Sequence, residues 1–301
     1  APPGFWEVFE ETPQTGSILQ ILNEDLDGGK VLYRSWSSTY PFSPAWNRNL
    51  FYWTSSSFLS RQVKLLYKLG EKEFFKRISL LNDDINYYSN QLYLRPNNYE
   101  MLVIFYKYLS KIILRAYQKT FYYDHYYLLY SYNADLNASI RKFKKIVLKN
   151  NIFISNPNLI CKDDKYFIFV NQYDKNSEKL LISQIEIDNK NNIKNPITVL
   201  DKEYSVSDPY VFIYKKIYYM ILLSKEKNTL EIYECENFPN KWNFKMVIMK
   251  NVRAVSPVIL NYNGRWWLFI GLSENEVSSP NDELFLFSSK SPLNNQWVSH
   301  P

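Results

Sequence analysis

The sequence predicts a mostly β fold, in which a partial β-propeller follows a helical connector and a small α/β block. Three observations predict it. One motif occurs three times in the second half of the chain. Each copy consists of strand-like runs separated by polar turns. Apolar residues at helical spacing occupy the stretch before the motif. We therefore expect the α/β block over residues 1–38, an aromatic connector and helices over 39–120, and the propeller over 121–301.

The repeated motif is anchored by prolines that align at a spacing of about fifty residues, the length of one four-stranded propeller blade. They are Pro157, Pro209 and Pro257. An aromatic pair follows each proline at the same distance, and the pairs are Tyr166-Phe167, Tyr218-Tyr219 and Trp266-Trp267. Because adjacent strand residues point to opposite faces, one member of each pair should lie in the core. Three copies are fewer than the roughly 4 to 8 blades of a closed ring. Since the chain also begins at Ala1, we expect it to be a segment of a longer protein.

The first block predicts a short helix over Pro3 to Glu10 and two strands, over Thr15 to Leu22 and Lys30 to Ser37. The connector that follows is rich in proline and aromatic residues. Within it, Arg48 is a candidate ligand for a phosphate or carboxylate, although arginines of this kind more often stack on aromatic rings or form local pairs.

Helical spacing continues over residues 56–120, with Gly70 as a predicted helix end and Asn97 with Glu100 as a predicted capping box. The later helix carries an apolar stripe that we expect to pack on the next domain: Leu102, Phe105, Leu109, Ile112 and Ala116. Residues Tyr126 to Tyr130 then predict a strand, which could belong to the closing blade.

The composition excludes several classes of function. The net charge of +6 comes from 36 basic and 30 acidic residues without a recognised nucleic-acid module, so we expect no nucleic-acid partner. Two cysteines and two histidines without ligand spacing predict no metal site. No apolar run approaches the ~18 residues of a membrane span, and no signal peptide opens the chain. We expect a cytoplasmic protein, and the sequence leaves its oligomeric state open.

The first block also resembles a known family. Its Pro2-Pro3-Gly4-Phe5-Trp6, Thr15-Gly16-Ser17 and Leu26-Asp27-Gly28-Gly29 runs follow one another as in the second half of the folate-dependent formyltransferase catalytic domain. The resemblance implies that Asp27 is a catalytic residue and that the longer protein uses 10-formyltetrahydrofolate. The family's Asn-x-His pair would lie upstream, so we expect this segment to be inactive by itself. A plain Asp-Gly turn is the alternative interpretation of Asp27.

The repeat resembles the five-bladed propeller of glycoside hydrolase family 43. It is most similar to the propellers of glucosamine inositolphosphorylceramide transferases and of bacterial proteins that join one to a formyltransferase-like domain. Asp208-Pro209, the run from Phe238 to Trp242, and Ser291-Pro292-Leu293 carry this resemblance. It implies a carbohydrate-active transferase, by formyl or glycosyl transfer, for an amino sugar, a nucleotide sugar or a surface glycan, with the propeller binding the acceptor. A non-catalytic glycan-binding or scaffolding propeller is the alternative.

The residues before the three blade prolines are the candidate site. They are Asn156, Asp208 and Ser256, and we expect them to bind substrate at the propeller mouth. Inverting hydrolysis needs two carboxylates across the scissile bond, and only Asp208 is one. Asn171 and Ser224 stand where hydrolase-like sequences often carry glutamate, so a hydrolase is a third and weaker hypothesis. The alternative interpretation of Asp208 is a turn aspartate before proline.

Overall fold

The computed structural model describes residues 2–24, 29–81, 93–122, 127–132, 138–148, 152–188 and 192–300. Its chain forms two compact units. The first unit contains the residues up to Tyr123 and the segment Ser273–Glu283, and the second contains Asp124–Leu272 and Leu284–His300.

The first unit contains a hairpin and five helices among its described residues. Its elements are α1 (Phe5–Phe9), β1 (Gln14–Leu22), β2 (Gly29–Ser38), α2 (Pro44–Ser55), α3 (Phe58–Leu69), α4 (Glu71–Leu81) and α5 (Asn98–Phe121). Strands β1 and β2 pair in antiparallel fashion, so the helix and two strands predicted for the first block are confirmed.

Much of the predicted connector is helical, because the N-terminus of α2 is well capped. The Ser43 hydroxyl accepts a hydrogen bond from the Trp46 N–H at 3.2 Å, and Pro44 occupies the first helical position. One turn on, Asn47 is only 1% exposed. Its amide donates to the Gly4 carbonyl oxygen at 3.2 Å and to the Thr15 hydroxyl at 3.0 Å. A single side chain therefore ties α2 to β1 and to the residue before α1.

The other helix boundaries agree with the sequence, whereas the packing of α5 does not. Gly70 ends α3 in the left-handed region, and Asn97 and Glu100 form the capping box with hydrogen bonds of 2.9 and 2.8 Å. The prediction that the apolar stripe of α5 packs is wrong, because the residues of the stripe, Leu102 and Phe105 among them, are exposed.

The face of α5 that packs contains Ile104, Tyr108 and Arg115. Ile104 is the buried residue of the helix, and the Tyr108 hydroxyl donates to the Phe42 carbonyl oxygen. The Arg115 guanidinium lies 3.9 Å from the centre of the Phe42 ring. A guanidinium over the face of an aromatic ring is a cation–π contact, so α5 packs through these polar and aromatic contacts and not through the apolar stripe.

The second unit consists of one short two-stranded sheet and three four-stranded sheets. The short sheet pairs β3 (Leu129–Tyr130) with β4 (Lys144–Lys145). The first sheet contains β5 (Ile154–Lys162), β6 (Lys165–Asp174), β7 (Lys179–Ile187) and β8 (Ile197–Leu200). The second contains β9 (Ser207–Tyr214), β10 (Ile217–Ser224), β11 (Thr229–Asn237) and β12 (Lys241–Lys250). The third contains β13 (Arg253–Tyr262), β14 (Arg265–Ser273), β15 (Leu284–Ser289) and β16 (Val298–Ser299).

Each four-stranded sheet is a meander, since its strands pair in chain order. The three copies of the motif are therefore three blade-like sheets. A closed ring of five blades stays a prediction. The strand predicted from Tyr126 covers Leu129–Tyr130 and pairs with β4, while Tyr126 lies outside the described residues.

The aromatic pairs divide between the two faces of each sheet, as the alternation of strand residues requires. Phe167 and Tyr218 pack in one apolar cluster between the first and second sheets. Tyr219 and Trp266 pack in another between the second and third sheets. The prediction that one member of each pair is buried is confirmed: these are Phe167, Tyr219 and Trp266. The second sheet thus packs through one face on the first sheet and through the other on the third.

Candidate functional site

Each of the three sheets begins with a strand whose residue before the proline adopts a left-handed backbone. The φ angles are 51° at Asn156, 57° at Asp208 and 50° at Ser256. Non-glycine residues are uncommon in this region, and such strain concentrates at functional sites. In β5 and β9 the pairing with the next strand shifts register at this point. A bulge of this kind re-aims the side chain, so the repeat sets the same backbone feature in three equivalent strands.

The three residues before the prolines, Asn156, Asp208 and Ser256, meet around the Asp208 carboxylate, and we call them the Asp208 cluster. The Asn156 side-chain amide donates to Asp208 Oδ1. The Ser256 backbone N–H donates to Asp208 Oδ2 at 3.4 Å. This convergence follows from the position of β9, which contacts both β5 and β13. The sequence-predicted substrate-binding residues of the second unit therefore lie together in space.

Two asparagines of the first sheet hold β9 in place by the same type of contact. Asn171 Oδ1 accepts a hydrogen bond from the Asp208 backbone N–H at 2.9 Å. Asn158 Oδ1 accepts one from the Val211 backbone N–H, also at 2.9 Å. Asn171 is buried, and Asn158 is half-buried. From the sequence, Asn171 is only a position at which an expected glutamate is absent. Its hydrogen bond to the Asp208 backbone, which holds the bulge, is not predicted.

The Asp208 cluster combines a buried carboxylate with two exposed partners. Asp208 is 9% exposed, whereas Asn156 and Ser256 are exposed residues. An ionised carboxylate has about four lone-pair positions, and two receive the hydrogen bonds described above. The remaining positions can accept from a hydroxyl or an ammonium group of a ligand. The neighbouring amide and hydroxyl of the cluster can donate or accept in turn.

The cluster lacks the arrangement that hydrolysis or metal binding requires. Among the described residues, Asp208 is the only carboxylate hydrogen-bonded within it. Ser224, the other position compared with hydrolases, accepts from the Lys227 backbone N–H at 3.3 Å. No group of three or more His, Cys, Asp or Glu side chains in the described part of the chain could hold a metal ion.

A second buried carboxylate in the second unit has its hydrogen bonds satisfied by protein groups. Glu231 accepts from the hydroxyls of Tyr233 at 2.7 Å, Tyr204 at 3.1 Å and Thr229 at 2.9 Å. Burial, together with the Tyr204 hydroxyl and Glu231, raises the pKa of Tyr233. Glu231 thus has a structural role, and it has fewer free hydrogen-bonding positions for a ligand than Asp208.

Two other sequence-predicted residues belong to the first part of the chain. Arg48 is half-buried on α2, within the first unit. Asp27 and its turn lie outside the described residues, so the structure places only the strands on either side. No helix in the described ranges combines the length and the apolar character that crossing a membrane requires.

Comparisons with known proteins concern mainly the second unit. A family model described as "Glucosamine inositolphosphorylceramide transferase 1, N-terminal" matches residues 141–301, more than half of the chain. The chain is 31% identical over 101 residues to glucosamine inositolphosphorylceramide transferase 1 of Oryza sativa subsp. japonica, covering 34% of this chain and 13% of that protein. It is 28% identical over 149 residues to the Arabidopsis thaliana protein of the same description, covering 49% and 19%. The chain therefore spans less than a fifth of the length of these relatives.

Solved structures are more distant. A family 117 glycoside hydrolase from Zobellia galactanivorans superposes with a TM-score of 0.43 at 14% identity, covering 50% of this chain and 56% of that one. A thermostable family-43 glycoside hydrolase gives a TM-score of 0.40 at 14% identity, covering 49% and 54%.

Proposed function

Since the chain belongs to the family of the N-terminal domain of glucosamine inositolphosphorylceramide transferase 1, we propose that its second unit binds the sugar acceptor of a carbohydrate-active transferase. The observation that carries the proposal is the convergence of Asn156, Asp208 and Ser256 on one carboxylate. Three equivalent strands adopt an uncommon backbone conformation at these residues, which brings the polar groups together. Core packing alone does not require this conformation.

The chemistry of the cluster favours an amino sugar. Asp208 gives the cluster one negative charge, and its free lone-pair positions suit an ammonium group as well as a hydroxyl. A hydrogen bond to a charged group contributes about 1.5–3 kcal/mol, more than a neutral one. We therefore expect glucosamine to bind better than glucose. The name of the relatives, glucosamine inositolphosphorylceramide transferase 1, contains the same amino sugar.

The test is a calorimetric titration of the purified chain with glucosamine and with glucose, at a pH at which the amine is protonated. Asp208→Asn should weaken glucosamine binding by about tenfold or more and bring it close to that of glucose. Asp163→Asn is the matched control. Asp163 is also an aspartate in the left-handed region, at φ 51°, but it lies in the exposed turn between β5 and β6. Equal losses in the two variants, or binding unaffected by Asp208→Asn, would refute the assignment.

Two other functions make different predictions for the same protein. If the second unit is a non-catalytic glycan-binding module, it binds the sugar, and a longer protein of the relatives' length that contains it transfers no group to that sugar. A hydrolase would release sugar from a glycan and lose that activity in Asp208→Asn. The absence of a second carboxylate from the described cluster argues against the hydrolase.

Formyl transfer is a second candidate for the longer protein, favoured by the hairpin of β1 and β2 at the expected position. Of the residues that the resemblance assigns a role, the chain contains Asp27 alone, and it lies outside the described residues. The described residues of the first unit therefore leave this candidate to experiment. Titration of the longer protein with 10-formyltetrahydrofolate, with Asp27→Asn as the comparison, tests this candidate.

A further inference from the structure

A cavity of about 450 Å³ lies within the second unit, between the β3–β4 sheet and the first sheet. It uses the face of the first sheet opposite to the one that packs on the second sheet. Small-molecule sites in proteins commonly have volumes of about 300–1,000 Å³ and mainly apolar linings. The size of this cavity is therefore that of a ligand site.

The lining is apolar and aromatic. Its residues include Leu129, Leu159, Tyr132 and the isoleucines Ile146, Ile168 and Ile187. The isoleucines are buried at its base, while Leu129 and Leu159 are 41% and 58% exposed. Tyr132 contacts both Tyr130 and Tyr166 edge to face, with ring centres 5.7 and 6.0 Å apart. An apolar chain that displaces water from such walls is stabilised by the hydrophobic effect.

A basic segment adjoins the cavity. Phe143 and Ile146 belong to the lining, and the residues around them are the exposed cations Arg141, Lys142, Lys144 and Lys145. No ion pair joins any of these cations to a described carboxylate. The Lys145 ammonium lies 4.2 Å from the centre of the Tyr127 ring. Two described acids adjoin the lining residue Ile187. Asp188 accepts hydrogen bonds from Asn192 at 2.8 and 2.9 Å, and Glu186 pairs with Lys165 and Lys194.

We propose that this cavity binds the apolar chain of an anionic amphiphile, with the head group at the basic segment. The occupant that fits both features has one long hydrocarbon chain and a phosphate-like head. An apolar wall without the cations would favour a neutral chain, and the cations without the wall would bind a free anion. The proposal goes beyond the sugar site and does not depend on it, because it uses none of the three residues of the Asp208 cluster.

The test is a titration of the full chain with dodecyl phosphate below its micelle concentration. Dodecyl maltoside supplies the same chain with a neutral head, and inorganic phosphate supplies the anion alone. Leu129→Trp should fill the opening and weaken dodecyl phosphate binding by about tenfold or more. Leu260→Trp is the matched control, since Leu260 is 39% exposed on β13 and outside the cavity. If Leu129→Trp fails to fold by circular dichroism, Leu159→Trp replaces it.

The charge half of the proposal has its own readout. Replacing Arg141 and Lys144 by alanine should weaken dodecyl phosphate binding, leave dodecyl maltoside binding unchanged and reduce the dependence of affinity on salt. Asp208→Asn should leave dodecyl phosphate binding unchanged, so failure of the sugar site and failure of the cavity are distinguishable.

Four results would overturn the proposal. The first three are no binding of dodecyl phosphate, wild-type affinity in the variant with a filled opening, and competition by inorganic phosphate at similar concentration. Self-association of the chain that Leu129→Trp abolishes would assign the cavity to a second copy instead, and would overturn it as well.

Discussion

Asn171→Ala should separate ligand binding from stability in the Asp208 cluster, because an equivalent contact on the same strand offers an internal control. Asn171 accepts a hydrogen bond from the backbone N–H of Asp208, and Asn158 accepts one from the backbone N–H of Val211. Both bonds are 2.9 Å long, and both run from the first sheet to β9. They differ in that the first holds the bulged residue and the second holds a core residue.

The expected cost in stability is similar for the two variants. Each alanine leaves one N–H of β9 without its acceptor, at residues that are themselves buried: Asp208 at 9% and Val211 at 3% exposure. An unsatisfied buried donor costs about 1–3 kcal/mol. Asn171→Ala should lie toward the upper end of this range, because Asn171 is buried whereas Asn158 is half-buried.

The effects on sugar binding should differ. Without its acceptor, the backbone of Asp208 is free to leave the left-handed conformation, which is uncommon for a residue other than glycine. The carboxylate would then leave the position that Asn156 and Ser256 share. A loss of about 1.4 kcal/mol in binding is a tenfold loss of affinity, and we expect at least that for Asn171→Ala. Asn158→Ala should stay within about twofold of the wild type.

Urea unfolding followed by tryptophan fluorescence measures the stability of each variant, and calorimetric titration with glucosamine measures its affinity. If Asn158→Ala weakens binding as much as Asn171→Ala, the loss reflects general destabilisation and the positioning argument is refuted. If Asn171→Ala is as stable as the wild type, the hydrogen bond does not hold the bulge.

Two further predictions concern titrating side chains of the second unit. Cys161 is exposed, whereas burial raises the pKa of the Cys235 thiol to about 11. A disulfide reagent at mildly alkaline pH should therefore label one thiol fast, and Cys161→Ser should remove that fast phase. Fast labelling of two thiols would contradict this prediction. The Lys194 and Lys165 ammonium groups lower the pKa of Glu186 in the folded protein. These ion pairs therefore stabilise the fold above about pH 4.3, the ordinary pKa of glutamate, and the stabilisation disappears as the pH falls through the lowered pKa of the folded state. Glu186→Gln should therefore lower the free energy of unfolding by about 0.5–1 kcal/mol at neutral pH and by nothing in strong acid, and a difference that is independent of pH in urea titrations would be the contrary result.

The repeated part of the fold could be predicted from sequence, because a repeat carries its own alignment. Once Pro157, Pro209 and Pro257 share a frame, the residues before them must occupy equivalent places in equivalent strands. Local alternation then assigns one aromatic of each pair to the core, and the structure agrees. The same reasoning does not reach the left-handed φ of these residues, because asparagine, aspartate and serine before a proline also occur in ordinary turns.

The non-repeated part shows where the sequence is insufficient. Helix α5 has apolar residues on most of its surface, so periodicity alone cannot choose the face that packs. The choice depends on Phe42, far away in sequence, which receives Tyr108 and Arg115. Asn47 is a similar case. Its hydrogen bonds to Gly4 and Thr15 are long-range, and an asparagine inside an aromatic-rich connector does not reveal them.

The place of the carboxylate within the repeat bears on function more than its presence does. Strand β9 belongs to the middle of the three sheets, and Asp208 on it receives hydrogen bonds from both β5 and β13. The Asp208 carboxylate receives a donor from each of these two strands, so its two oxygens are fixed in direction before a ligand arrives. A preorganised acceptor loses little entropy on binding, which supports the proposed recognition of a sugar by a single carboxylate, without the second one that hydrolysis requires.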